Sequence, residues 1–241
     1  MAGAVARGPG GGRRQELAAH LAEVQDRINK ACAACGRDPG EVTLIAVTKT
    51  YPAEDVRLLN ELGARHFGEN RDQEAAPKAV ACAGLGITWH FVGQVQTRKA
   101  RSVAGYADVV HSVDRVKLAS HLGAAARAAG RELRCLVQVS IDGDPARGGV
   151  GPAGVAQVAE AIAAAPGLIL GGVMAVAPVG MEPAAAFTVL RHCSEAARAI
   201  RPEAAIISAG MSGDMEEAIA CGATHLRIGT ALLGVRNPPV L

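Results

Sequence analysis

A closed parallel α/β barrel of the (β/α)8 type, with an extra helix at the amino terminus, is the fold this sequence predicts. Three observations carry it. Eight short runs of branched apolar residues recur along the chain, separated by Ala-rich stretches with helical spacing. Those runs are apolar on both faces, as expected for strands of a sheet covered by helices. Finally, the first run leads into a lysine, Lys49, where an open doubly wound sheet would carry a Gly-x-Gly-x-x-Gly turn.

In chain order, "MAGAVARGPGGGRR" is rich in glycine and arginine and predicts a flexible tail over residues 1–13, with the barrel domain spanning 14–241. A helix is expected over 15–35. Strands are expected at 42–47 (VTLIAV), 65–67 (RHF), 88–92 (TWHFV) and 108–112 (DVVHS). Four more are expected at 133–140 (LRCLVQVS), 168–174 (LILGGVM), 204–208 (AAIIS) and 223–228 (ATHLRI). Val56, Leu59 and Leu62 mark one helical face between strands, and Val116, Leu118, Ala119 and Leu122 mark another. Phe187, Leu190 and Ala197 mark a third within residues 182–200. Each crossover between parallel strands must be right-handed, and eight such units can close on themselves.

Composition narrows the function. At 49% hydrophobic but only 2% aromatic, the core must be built from Ala, Val, Leu and Ile. The 25 basic and 23 acidic residues form no long single-sign block, which argues against a nucleic-acid surface. No apolar run reaches the roughly 18 to 20 residues that span a bilayer, and the amino terminus lacks a signal-peptide core. A cytoplasmic monomer without nucleic-acid or membrane partners is therefore expected. Cys32 and Cys35 form a C-x-x-C inside the expected first helix; with no second pair, no metal site is expected.

In such a barrel the chemistry lies where the strands end. Lys49 closes "LIAVTK": it is either a strand-end lysine reaching for water or an amine dry enough to attack a carbonyl. The last two strand ends sharpen the choice. "SAGMSGDM" offers the hydroxyls of Ser208 and Ser212 around Met211, with Gly210 and Gly213 permitting tight turns, and "RIGT" offers Gly229 and the Thr230 hydroxyl. Small residues in such loops leave backbone N–H groups free to face an anion, and barrels often hold a phosphate after strands seven and eight. Arg227 is the single charge in "HLRIG" and stays cationic throughout the working range. A phosphate site on one side of the mouth and an amine on the other suggest pyridoxal 5′-phosphate, which offers an aldehyde, a phosphate and a ring nitrogen between them.

The stretches "AVTKTYP", "FGEN", "WHFVGQVQTRKAR", "HSVDR" and "ISAGMSGDMEEAIACGATHLRIGTALLG" resemble the YggS/PROSC family of pyridoxal-phosphate homeostasis proteins, from about Glu41 to Arg236. The resemblance implies a single barrel similar to the amino-terminal domain of alanine racemase. It implies Lys49 as the Schiff-base lysine and phosphate contacts from the 208–212 loop, Gly229 and Thr230. Arg227 would lie near the pyridine nitrogen and Asn70 near the ring's polar edge. The chain departs from the family pattern at Arg71, Arg98, Arg147, Ala209 and Gly213, and none of these removes the lysine or the phosphate donors.

Carrier and enzyme remain to be weighed. A cationic Arg227 beside the ring nitrogen opposes its protonation and weakens the ring as an electron sink. Racemisation needs an acid/base group on each face of a planar intermediate. The racemases supply the second from a separate β-domain, and only five residues follow Arg236 here. Tyr51 and Tyr106 have no motif placing them opposite Lys49, and His90 and His111 read as structural. The expectation is therefore a cofactor carrier, without catalytic residues of its own, that takes part in intracellular delivery to pyridoxal-phosphate-dependent apoenzymes. A racemase-like enzyme is the alternative, and a barrel that binds another phosphorylated metabolite with Lys49 as a mere charge is the third.

Overall fold

The computed structural model describes residues 9–144 and 147–234. Eight parallel strands close into a barrel in strict sequence order. They are β1 (Thr43–Val47), β2 (His66–Glu69), β3 (Thr88–Phe91), β4 (Val109–Val113), β5 (Leu133–Gln138), β6 (Leu168–Met174), β7 (Ile206–Ser208) and β8 (His225–Ile228). The outer ring contains α2 (Ala53–Glu61), α3 (Asp72–Ala81), α4 (Ala100–Tyr106), α5 (Val116–Ala128), α6 (Val155–Ala164), α7 (Pro183–Ile200) and α8 (Met215–Ala220). A preceding helix, α1 (Pro9–Ala34), and a single turn after β8, α9 (Thr230–Leu233), complete the set among the described residues. The expected fold class is the observed one.

The helical spacings hold except at Val116, which is exposed in the first turn of α5. Val56 and Leu59 of α2, Leu118 and Leu122 of α5, and Phe187, Leu190 and Ala197 of α7 are all buried against the barrel wall. With few aromatic side chains, this outer core is filled by Leu, Val, Ile and Ala around Phe67 and Phe187. The barrel interior divides in two. Val109, Leu136 and Met174 form an apolar cluster with Ile206 packed against it, whereas Ser208, Arg227 and several histidines fill the other part.

Most strand ends differ from expectation by one or two residues, and three boundaries have a clear physical reason. The first helix begins at Pro9 rather than residue 15, so residues 9–13 of the expected tail are helical, and residues 1–8 lie outside the described set. Glycine costs a helix about 1 kcal/mol per residue, but tertiary bonds offset that cost here. Arg13 pairs with Asp55 at 2.8 Å and Glu16 at 3.0 Å, and donates to the Leu233 carbonyl at 3.1 Å. β2 runs on through Gly68 and Glu69, because Val47 pairs with Gly68 and extends the ladder. β7 is only three residues long, since Ala204 is spent on a turn bond to the Arg201 carbonyl.

The β5–β6 register shifts between Cys135 and Leu136, leaving Gly171 as the extra residue of a bulge. Gly172 follows at φ +142°, and a Cβ there would meet the Ile206 carbonyl oxygen at 2.0 Å. That carbonyl belongs to the shortest strand, which has little pairing to spare. Gly172→Ala should therefore cost roughly 3 kcal/mol or more and lower the melting temperature by about 6 to 12 °C. Gly105→Ala is the control: Gly105 is helical with nothing within 4 Å of an added Cβ, so it should be neutral or stabilising by up to about 1 kcal/mol.

Candidate functional site

Lys49 stands two residues beyond β1, exposed, and makes no hydrogen bond or ion pair among the described residues. The turn that carries it is held from several sides. Thr48 is buried and its hydroxyl donates to Glu69 at 2.7 Å. Lys78, from α3, donates to the Thr48 carbonyl at 2.8 Å and forms a buried ion pair with Glu69. Burial pushes the Glu69 carboxyl up, and the bonds from Lys78 and Thr48 pull against that. Glu74 accepts from the Thr50 N–H at 2.9 Å, and the Tyr51 N–H closes the turn on the Thr48 carbonyl at 3.1 Å. Thr50 itself sits at φ +67°, a strained setting for a β-branched residue. Strain of this kind persists only where neighbours over-determine it, and it concentrates at functional sites.

Barrel closure brings the carboxyl end of β8 to this turn. Ala46 pairs with Ile228, and a Cβ on Gly229 would lie 3.4 Å from the Val47 carbonyl oxygen. The Tyr51 hydroxyl donates to the Gly234 carbonyl at 2.7 Å, tying the lysine turn to the end of α9, and Arg13 lies 5.7 Å over the Tyr51 ring. Ser212 links the last two loops: its hydroxyl oxygen accepts from the Ala231 N–H at 3.1 Å. Asp214 accepts from the Met211 N–H at 2.6 Å, and Arg27 of α1 donates to the Ser212 carbonyl at 3.1 Å. Thr230 is exposed at the rim. Among the described residues the N–H groups of Gly213, Gly229 and Thr230 have no protein acceptor, so three donors are left unpaired at the last two strand ends.

Ser208 and Arg227 look inward instead. Ser208 is fully buried, and its hydroxyl oxygen accepts from Arg227 Nη1 at 2.7 Å. Arg227 Nη2 donates to the Ala175 carbonyl at 2.8 Å. Burial pushes the guanidinium down to about 10, with Asp214 pulling the other way, so it remains a cation at neutral pH. Asn70 follows β2 directly, and its side-chain oxygen is buried without a protein partner. Such an orphaned acceptor calls for a donor from a bound molecule or water. A Cβ at Gly93 would lie 2.1 Å from the Asn70 carbonyl oxygen, so the backbone after β3 must be glycine for Asn70 to sit where it does.

The structure thus brings Lys49, Gly229, Thr230 and Ser212 to one side of the mouth, and Arg227 and Ser208 just below in the interior. Met211 contributes its backbone to the loop while its side chain is partly exposed. Sequence reasoning missed the Glu69–Lys78–Thr48 cluster, although Glu69 lies inside "GEN". It also missed the partnership of His66 with His90 and His111. The available signal was one histidine in each of three successive strands. Arg147, a departure from the family pattern, pairs with Asp142 and Asp144 and lines a cavity of about 180 Å³ on the far side of the mouth with Gln94, Gln138 and Met174.

A closed eight-stranded barrel with a lysine at the exit of β1 and glycine- and serine-rich loops after β7 and β8 defines a class, and the alanine racemase amino-terminal domain model matches residues 19–237. The chain belongs to the pyridoxal phosphate homeostasis protein family. It is 42% identical to the pyridoxal phosphate homeostasis protein of Mycobacterium tuberculosis H37Rv, over 93% of this chain and 95% of that one. It is 39% identical to the protein of that name from Escherichia coli K12, over 92% and 97% respectively. Among solved structures, PipY of Synechococcus elongatus with pyridoxal phosphate bound superposes with a TM-score of 0.79 at 33% identity, covering 90% of this chain and all of that one.

The interior histidines make stability depend on pH. Burial lowers His66, His90 and His111, and lowers His225 to about 4. Below about pH 6.5 the unfolded chain therefore binds more protons than the folded one, so stability is fully present above that pH and is lost as pH falls. Glu69, with its raised carboxyl, acts in the opposite sense, but as one group against four. Melting temperature should fall steadily from pH 7 to 5, and by pH 4 His225 alone should account for roughly 3 kcal/mol. A flat profile between pH 7 and 5 would count against neutral buried rings.

Proposed function

We propose that this chain binds pyridoxal 5′-phosphate at the barrel mouth, with Lys49 as the Schiff-base lysine, and serves as a carrier that delivers the cofactor inside the cell to apoenzymes that need it. The observation that carries this reading is the seam between β1 and β8. It sets an amine with no partner among the described residues beside loops that carry unpaired N–H groups and the Ser212 and Thr230 hydroxyls. The relatives reported above, one of them holding the cofactor, support the choice of ligand.

When bound, the cofactor supplies an aldehyde that a neutral amine can capture reversibly. The chain's own residues do the rest. Lys49 provides that amine from an over-determined turn. Ser212, Gly213, Gly229 and Thr230 hold the phosphate through N–H and hydroxyl donors. Asn70, with a buried oxygen in need of a donor, takes the ring's polar edge. Arg227 presents a fixed cation toward the ring nitrogen, while Ser208 holds that arginine rather than the phosphate.

The residues favour holding over turnover. A cation beside the ring nitrogen opposes its protonation and so weakens the electron sink that transamination needs. Tyr51, the tyrosine nearest Lys49 in sequence, spends its hydroxyl hydrogen on the Gly234 carbonyl and is bound into the scaffold. A racemase-like activity would need a base on the second face of the substrate.

The purified protein with added cofactor should be yellow, and borohydride should trap the cofactor on the peptide containing Lys49. Lys49→Ala should abolish trapping while leaving weaker phosphate-anchored binding. Thr230→Val should reduce affinity yet still permit trapping at high cofactor. Cofactor at about a hundred times its dissociation constant should stabilise the fold by roughly 2.7 kcal/mol. Amino-acid α-deuterium lost on the order of once per second or faster would replace the carrier by an enzyme.

A further inference from the structure

We propose that His66, His90 and His111 form one directional string of neutral imidazoles that positions Arg227 through Ser208. A barrel of this kind is ordinarily filled with branched aliphatic side chains. Here Val109, Leu136, Met174 and Ile206 make one apolar part, Ile45 of β1 is in register with both His66 and Arg227, and a line of imidazoles runs through the interior beside them. His66 Nδ1 lies 3.0 Å from His90 Nε2, and His90 Nδ1 lies 2.8 Å from His111 Nε2. His111 Nδ1 lies 2.9 Å from the Ser208 hydroxyl oxygen, which Arg227 reaches at 2.7 Å. The line thus crosses the barrel from β2 through β3 and β4 to β7 and β8.

The direction follows from counting hydrogens. A neutral imidazole has one donor and one acceptor, so three rings in line can be arranged in only two ways. The surroundings keep the rings neutral. Besides burial, His111 faces the Arg227 cation, and His90 faces Arg134 and His225, whose ring is 6.2 Å away. Among the described residues, the acid acting on Arg227 is Asp214, which opposes its loss of charge. Arg227 can only donate, so Ser208 accepts from it.

Were His111 to donate as well, the Ser208 hydrogen would need a third acceptor, and the described residues offer none. Ser208 therefore donates to His111 Nδ1. His111 Nε2–H then donates to His90 Nδ1, and His90 Nε2–H to His66 Nδ1. All three rings carry their hydrogen on Nε2. The last N–H, on half-buried His66, opens toward a cavity of about 640 Å³ beneath the barrel, lined in part by Gln25, Thr43 and Arg65.

The consequence is a fixed guanidinium. With its hydrogen committed to His111, Ser208 turns a lone pair to Arg227 Nη1, while the Ala175 carbonyl holds Nη2. The plane of the guanidinium is set by two acceptors, one at the end of β7 and one just after β6, and the remaining N–H edge has one direction left to face. That this edge serves a cofactor ring rests on the function proposed above; the tautomer string does not.

The test is a long-range proton–nitrogen-15 spectrum of the full chain at pH 7 without cofactor, with the histidine rings assigned through bonds from their own backbone signals. His66, His90 and His111 should each show the Nε2–H tautomer. Finding any of them with its hydrogen on Nδ1, or cationic, overturns the proposal, and this holds even if every variant fails to fold. His111→Leu should remove the acceptor from Ser208 and the donor from His90, so His90 and His66 lose their single tautomer. It should also weaken pyridoxal 5′-phosphate binding about tenfold. His111→Gln, which can accept and donate in the same line, should restore affinity to within about threefold of the parent. A His111→Leu protein that folds yet leaves the other two rings and the affinity unchanged also overturns it. Failure of borohydride to mark Lys49 would sink the functional reading and leave the tautomer result standing, so the two failures are distinguishable.

Discussion

Everything at the mouth depends on one seam, the parallel pairing of β1 with β8. Thr43 to Ala46 align with His225 to Ile228, residues about 180 positions further along the chain. Closing so long a loop costs entropy that grows only slowly with length, and a closed sheet leaves no strand edge exposed. The seam does more than complete a cylinder. It sets the exit of the first strand beside the exit of the last, so the lysine turn and the loop after β8 become one surface. The Tyr51 bond to Gly234 and the Arg13 contacts to Asp55 and Leu233 repeat the same closure at the level of side chains.

The interior carries a second constraint. Burying a cation and several imidazoles gives up aliphatic packing and exposes each polar group to a desolvation penalty. The penalty is contained because the groups satisfy one another in series and the rings discharge themselves. A half-satisfied network would be worse than an apolar core, whereas a completed one specifies a single arrangement. Among the described residues Arg227 is the charge left in that network, with its two terminal nitrogens bonded to acceptors at the end of β7 and just after β6. The apolar cluster around Leu136 and Met174 holds the opposite wall, and so the polar half has a rigid surface to lean on.

Much of this was legible in the sequence, and the reasons differ from part to part. The strands could be read because burial on both faces makes them continuously apolar, and because α2, α5 and α7 show the helical period. β2 was read short because Gly68, Glu69 and Asn70 look like a turn; only the register with Val47 makes the first two of them strand. The amino-terminal helix was read late because "GPGGG" has poor helix propensity, and the side chains that overrule it, Asp55 and Leu233, are far away in sequence. Lys49, Ser212, Gly229 and Thr230 could be read because strand order alone assigns them to the mouth. The direction of the Ser208 hydroxyl could not, since a strand-end serine alternates between wall and mouth with a shift of one residue. Nor could the Glu69–Lys78 pair, which links a strand to the following helix through a geometry that no spacing rule encodes.

That pair decides which amine is available. Two lysines meet at the turn after β1, since Lys78 reaches the Thr48 carbonyl, one residue from Lys49. An ammonium that shares its protons with a carboxylate and a carbonyl in a buried setting has no lone pair to offer a carbonyl carbon. Lys78 is in that state: it is bound to Glu69 and Thr48 and is buried. The carboxylate that neutralises Lys78 also anchors the Thr48 hydroxyl, and thereby the start of the Lys49 turn. One buried acid thus spends a competing amine as structure and fixes the direction of the other. A lysine at this place needs both services, because a flexible four-carbon stem at a strand end would otherwise sweep through solvent.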